Sequence, residues 1–158
     1  VSARVVSTGP SNFQLTVAID KGTDDKIDKG MPVVTGNGLV GRVVDVSRSR
    51  STVMLVTDRS SSVGIRLQGS GSLAVTKGAG DGKPLSVELV DMATTVAPGE
   101  AVVTSGLQGS VFPPDLPVGR VREAKAEPGA LSQSVTVDPL VDLARIEFVK
   151  VLLWRGQP

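Results

Sequence analysis

One phrase occurs twice in this sequence. Gly30-Met31-Pro32-Val33-Val34-Thr35, followed by Gly38-Leu39-Val40-Gly41-Arg42-Val43, returns as Gly99-Glu100-Ala101-Val102-Val103-Thr104, followed by Leu116-Pro117-Val118-Gly119-Arg120-Val121. A repeat spaced by half the chain is longer than a solenoid unit of about 20–50 residues, and it suits two related β modules, each with its own core. Leu15–Asp20 answers Leu85–Asp91 in the same way, and Val53–Asp58 roughly answers Ser134–Asp138.

Valine is the dominant apolar residue, and β-branched side chains pack well on a pleated surface. Period-two patterning bounded by turn residues predicts twelve strands. In the first half they are Ala3–Ser7, Phe13–Asp20, Met31–Val34, Leu39–Val46, Thr52–Thr57 and Ser62–Leu67. In the second half they are Leu73–Lys77, Leu85–Val90, Ala101–Thr104, Val118–Ala124, Ser132–Val137 and Glu147–Leu153. The clearest is Phe13–Asp20, where Phe13, Leu15, Val17 and Ile19 share one face of a half-buried strand.

Six strands per copy suit a small closed barrel, because closure removes the unpaired edges of an open sheet. The expected fold is therefore all-β: two six-stranded barrels in tandem, distantly like the chymotrypsin-like double barrel. Gly69-Ser70-Gly71-Ser72 reads as a flexible connector, which puts the first module at residues 1–68 and the second at 69–155, with strand exchange left open. Gly78–Gly82 suits a hairpin turn. Asp138–Ile146 reads as a helical turn with Pro139 in its first position. Beyond Lys150 the last strand is apolar on both faces, which predicts cover from both sides, where the barrels meet. Gly30, Gly41, Gly99 and Gly119 are structural glycines; inside a strand, Gly41 and Gly119 mark a bulge, a corner or a close backbone approach.

The composition excludes much chemistry. The 158 residues contain no His and no Cys, which removes Ser-His-Asp triads, cysteine nucleophiles, disulfides and the usual zinc sites. Seventeen basic residues against sixteen acidic give a net charge of +1, too small a field to draw nucleic acid, and four aromatics are few for base stacking. No cofactor is expected. Asp20, Asp24, Asp25 and Asp28 miss the calcium-loop spacing and are interleaved with lysines. Gly78–Lys83 lacks the phosphate-loop spacing, and Pro84 stands where Ser or Thr belongs. No apolar run approaches the roughly 18 residues of a membrane helix. The chain begins at Val1 rather than Met and reads as a piece of a longer protein.

The ordered set of Gly30-x-Pro32-Val33-Val34, Gly38–Val43, Leu55-Val56-Thr57-Asp58, Val103–Gly109 with Phe112-Pro113, and Pro117–Val121 resembles the extracytoplasmic part of the bacterial rod-shape-determining MreC family. The resemblance runs from about Val5 to Trp154, with Asp115 standing where the family commonly has Gly. It implies a bitopic membrane protein in which a cytoplasmic tail, one transmembrane helix and a coiled coil precede two extracytoplasmic β-barrels. It also implies a non-enzymatic scaffold of the elongation machinery that organises peptidoglycan synthases. The implied partners are an elongation-specific class B penicillin-binding protein, MreD, and MreB through the N-terminal part that this chain lacks. Self-association as a homodimer or filament is the further expectation.

The second copy holds extra residues between Val103-Thr104 and Val118-Gly119. Prolines stiffen this loop, and Val111, Phe112 and Leu116 are its apolar candidates for a partner contact. The competing reading has Phe112 plugging the end of its own barrel. Two other functions were weighed. A chymotrypsin-like hydrolase would present Ser105 at the Thr104-Ser105-Gly106 turn, but without His it would need a lysine base that no local motif supplies. A cell-wall carbohydrate-binding module would want exposed aromatic platforms.

Overall fold

Whether each copy can close on itself depends on where the strands go. The computed structural model describes residues 1–8, 15–80, 82–107, 111–126, 129 and 131–154; the Phe13 and Gln14 end of the expected second strand lies outside them. Among the described residues there are twelve strands: β1 (Ser2–Thr8), β2 (Thr16–Ile19), β3 (Pro32–Val34), β4 (Leu39–Val46), β5 (Ser51–Leu55), β6 (Ser62–Leu67), β7 (Leu73–Lys77), β8 (Leu85–Asp91), β9 (Ala101–Thr104), β10 (Pro117–Lys125), β11 (Ser132–Pro139) and β12 (Phe148–Val151). They form two closed antiparallel barrels, ordered β1-β12-β3-β4-β5-β2 and β10-β11-β8-β7-β6-β9.

Strand membership corrects the expected division at residues 68 and 69. β6 belongs to the second barrel, where it pairs with β7 and β9. β12 returns to the first barrel, where it pairs with β1 and β3. The two barrels then have the same cyclic order, with β12-β1-β2-β5-β4-β3 matching β6-β7-β8-β11-β10-β9. The first copy is thus opened after its first strand, which the far end of the chain supplies. Five strands from β1 to β5 would leave β1 and β3 with unpaired edges, and β12 satisfies both.

The duplication extends to individual hydrogen bonds. Gly30 N–H donates to Val43 O at 2.7 Å, and Gly99 N–H to Val121 O at 2.7 Å. Val43 N–H donates back to Met31 O and Val121 N–H to Glu100 O, both at 2.9 Å. Bulges fall between Val43 and Asp45 in one copy and between Val121 and Glu123 in the other. Since Val43 faces Val53 and Val121 faces Val137, Val53 answers Val137, and Asp58 answers Asp142 rather than Asp138. Both aspartates close the same local turn: Asp58 Oδ1 accepts from Ser60 N–H at 2.7 Å and Asp142 Oδ1 from Ala144 N–H at 3.2 Å.

The four singled-out glycines fall into two pairs with different causes. A Cβ on Gly41 would lie 1.9 Å from Met54 O, and one on Gly119 would lie 2.3 Å from Asp138 O, so the neighbouring strand passes too close for any side chain. Gly30 and Gly99 have open space around them but φ of +91° and +85°, a region that side chains disfavour.

Inward-facing residues of alternating strands fill each barrel. Val17, Ile19, Val33, Val43, Val53, Val149 and Val151 belong to the first core, and Ile65, Leu67, Leu85, Val87, Val118, Val135 and Val137 to the second. Full burial of such a side chain contributes about 1.5–3 kcal/mol. The barrels are also locked together by exchange. Leu39 and Val56 leave the first barrel to join the second core, Val141 leaves the second to join the first, and Leu143 packs against both.

Three local expectations are corrected. Gly69–Ser72 is the β6–β7 hairpin turn and not a connector: Leu67 N–H donates to Ser72 O at 2.9 Å, and Gly71 adopts φ +76°. Asp138–Ile146 is not helical. β11 continues through Pro139, Leu140 N–H donates to Val118 O at 3.2 Å, and the Asp142 side chain draws the following backbone into a turn. β12 is covered on one face only: Val149 and Val151 are buried while Phe148 and Lys150 are exposed, and past the strand Leu153 is exposed as well. The Gly78–Gly82 segment does join β7 and β8, which pair antiparallel.

Candidate functional site

The segment between β9 and β10 is held from its base. Thr104, fully buried, accepts from Leu116 N–H at 2.9 Å through Oγ1 and donates the same hydroxyl to Pro113 O at 2.6 Å. Its backbone bonds both ways across the loop mouth, with Thr104 N–H donating to Leu116 O and Asp115 N–H to Thr104 O, each at 2.9 Å. One threonine therefore satisfies polar groups that a chain reversal would otherwise strand. Asp115 takes φ +65°, which Asp tolerates better than most residues, and its carboxylate pairs with the Arg66 guanidinium on β6. The sequence marked Asp115 only as a departure from the family pattern; its ion pair was not foreseeable, because Arg66 lies 49 positions away.

The structure separates the three apolar loop residues. Phe112 is 4% exposed within the second core, and Leu116 packs against the same cluster, so both support the barrel end from inside. Val111 is exposed, as is Leu107 at the start of the loop. The loop borders an outward apolar surface that the sequence reading missed. On β7, Leu73 and Val75 are exposed and stand opposite Arg66 and Gly64 of β6. Gly64 in turn meets the loop, since Ser105 N–H donates to Gly64 O at 3.0 Å. The signal for that surface was present in the alternation of Leu73-Ala74-Val75-Thr76, whose two large apolar residues, Leu73 and Val75, lie on the outer face while Ala74 packs against the core.

The other candidates are placed as follows. The Ser105 side chain rests over Gly64, where a Cβ would be 3.1 Å from its hydroxyl oxygen. Phe148 is an exposed aromatic, but the Arg4 guanidinium lies over its ring at 5.9 Å from the centroid. The aspartates at 20, 24, 25 and 28 serve the backbone or the surface: Asp20 Oδ1 accepts from Arg4 N–H at 2.8 Å, Asp25 Oδ2 from Gly22 N–H at 3.2 Å, and Asp24 faces Arg48 at 3.7 Å. No group of three or more acidic, His or Cys side chains is placed to hold a metal among the described residues. No helix among the described residues is long and apolar enough to cross a membrane.

Two interlocked closed barrels with a braced loop and an apolar outer strip define a tandem β-barrel protein. Residues 5–153 match the family described as rod shape-determining protein MreC, barrel core. The cell shape-determining protein MreC of Cereibacter sphaeroides is 37% identical over 152 residues, covering 96% of this chain and 48% of that protein. The crystal structure of MreC from Pseudomonas aeruginosa superposes with a TM-score of 0.91 at 29% identity, covering 96% of this chain and 97% of that one. The MreC chain in the complex between penicillin-binding protein PBP2 and MreC from Helicobacter pylori shares the fold, with a TM-score of 0.69 at 17% identity over 94% of this chain and 96% of that one. The chain belongs to the MreC family, and it spans about half the length of the curated relatives it matches.

Proposed function

We propose that this chain is the extracytoplasmic barrel region of a non-enzymatic scaffold that organises and activates peptidoglycan synthases during cell elongation, and so maintains rod shape. The observation that carries the reading is the family match across nearly the whole chain. The existence of a complex between PBP2 and MreC in Helicobacter pylori supports a class B penicillin-binding protein as partner. MreD is a further partner in this proposal, and MreB another through the N-terminal part of the family's architecture. Self-association as a homodimer or filament is the remaining part of the proposal.

A scaffold of this kind needs no catalytic group. It shifts a synthase toward its active conformation by as much as its affinities for the two conformations differ, about 1.4 kcal/mol for a tenfold preference. The contact surface is the exposed side of the β9–β10 segment, Leu107 and Val111, together with Leu73 and Val75 of β7. Phe112 and Leu116 fix the shape of that surface from beneath. The test is capture of the extracytoplasmic part of the cognate elongation synthase by this chain, comparing wild type with Val111→Asp and Val75→Asp. Binding falls at least tenfold in the variants while their circular dichroism stays unchanged. Undiminished binding removes this surface from the proposal, and failure of wild type to capture the synthase refutes the partner.

A further inference from the structure

The internal duplication provides its own control, and one position differs in kind. Met31 and Glu100 follow the paired glycines and carry the same backbone bonds. Their side chains also begin alike: Met31 Sδ accepts from Asp28 N–H at 3.3 Å, and Glu100 Oε1 accepts from Ala97 N–H at 3.4 Å. Met31 then ends in the first core, 2% exposed. Glu100 ends with Oε2 shielded from solvent and without a donor among the described residues. It forms no ion pair with a described cation. A shielded carboxylate oxygen left without a donor is costly, and a fold that needs only the turn has an apolar solution in its other copy.

Glu100 lies at a pocket between the β6–β7 turn and the β8–β9 segment, lined also by Gly69, Ser70, Ser72, Thr94 and Thr95. The walls are pinned before any ligand arrives. Gln133 Nε2 donates to Asp91 O at 3.0 Å and Thr94 O at 2.7 Å, Asp91 Oδ1 accepts from Ala93 N–H at 2.8 Å, and the Ser72 and Thr94 hydroxyls meet at 3.4 Å. Gly69 keeps the carboxylate uncrowded, since a Cβ there would lie 2.7 Å from Oε1. Oε2 is the oxygen left for a ligand, since Oε1 keeps its bond from Ala97 N–H.

We infer that this pocket binds a primary ammonium group on a flexible alkyl chain, the end of a lysine side chain. One carboxylate oxygen without a donor, in a pocket lined by Ser70, Ser72, Thr94 and Thr95, suits the three donors of a compact ammonium. A guanidinium wants two coplanar acceptor oxygens, and Oε1 is already engaged by Ala97. A divalent cation wants several charged oxygens, whereas Glu100 is the sole carboxylate lining the pocket among the described residues. The inference is independent of the scaffold reading.

The test is a 15N–1H NMR titration of this chain at pH 7 with Nα-acetyl-lysinamide, whose ammonium is its only charge. Alaninamide stands for a free α-amino group, and sodium chloride serves as the ionic-strength control. Amides of Gly69, Ser70, Ser72, Thr94 and Thr95 shift saturably with the lysine probe. In Glu100→Met, which installs the side chain that the first copy accommodates, the affinity falls at least tenfold; Glu100→Gln is the second variant and weakens it likewise. Absence of saturable shifts in the wild type overturns the inference whatever the variants do. So does undiminished binding in a folded variant, or an equal response to alaninamide or sodium chloride.

Discussion

Replacing Phe112 with alanine separates the two readings of the β9–β10 loop. The ring is 4% exposed and packs in the second core, so its removal leaves a cavity at the barrel end rather than a bare patch of surface. Truncation of a buried phenylalanine costs about 3–5 kcal/mol, from lost transfer free energy and from the incompletely collapsed cavity. The loop has little freedom to collapse, because Thr104 ties Pro113 and Leu116 across it. Domains of this length lose about 2–4 °C of melting temperature per kcal/mol, so the midpoint falls by about 6–20 °C. The assay is thermal unfolding followed by circular dichroism and calorimetry, with Val111→Ala alongside. Val111 is exposed, and its truncation changes stability by no more than about 0.5 kcal/mol. A Phe112→Ala midpoint within about 2 °C of wild type, the scale of an exposed substitution, refutes the assignment of Phe112 to the core.

Four further outcomes rest on separate mechanisms. Gly41→Ala destabilises by about 3 kcal/mol or more in urea unfolding, because its Cβ would sit 1.9 Å from Met54 O and the β4–β5 ladder must open. Gly30→Ala, with nothing near its Cβ, costs only the positive-φ penalty of about 1–2 kcal/mol; equal losses at both sites would refute the two-cause account. Thr104→Val leaves the Leu116 N–H and the Pro113 carbonyl without the hydroxyl, costs about 1–3 kcal/mol, and speeds amide exchange at Leu116, which unchanged protection there would contradict. Asp115→Gly stays within about 1 kcal/mol of wild type, since loss of an exposed ion pair is offset by relief at φ +65°; a larger destabilisation assigns more to the Arg66 pair than an exposed bridge supplies.

Much of the fold was legible from local pattern. Period-two alternation located every strand to within a few residues, and the repeated Gly-x-x-Val-Val-Thr and Val-Gly-Arg-Val phrases carried two barrels. The Gly69–Ser72 stretch misled because a flexible connector and a tight hairpin draw on the same residues; only the Leu67–Ser72 bond distinguishes them. The candidate site was half legible. Its loop residues Val111, Phe112 and Leu116 were found, with Phe112 in the barrel end as one of two readings, but Leu73 and Val75 were missed, and the choice for Phe112 depends on a core assembled from strands far away in sequence. Phe112 belongs to a core to which β6, β8 and β11 contribute as well as the flanking β9 and β10. Glu100 was read only as part of a repeated phrase, and its spare oxygen emerged when both copies could be compared in space.

The sequence by itself determined that two β modules form and where their strands and paired glycines lie, since alternation and backbone sterics act within a few residues of the chain. Only the tertiary structure decided which strands close which barrel. β6 and β12 are equally good strands by pattern, and nothing local tells one to go forward and the other to return. The choice is made by the open edges of β1 and β3, about 145 and 115 positions upstream, which only β12 is left to pair.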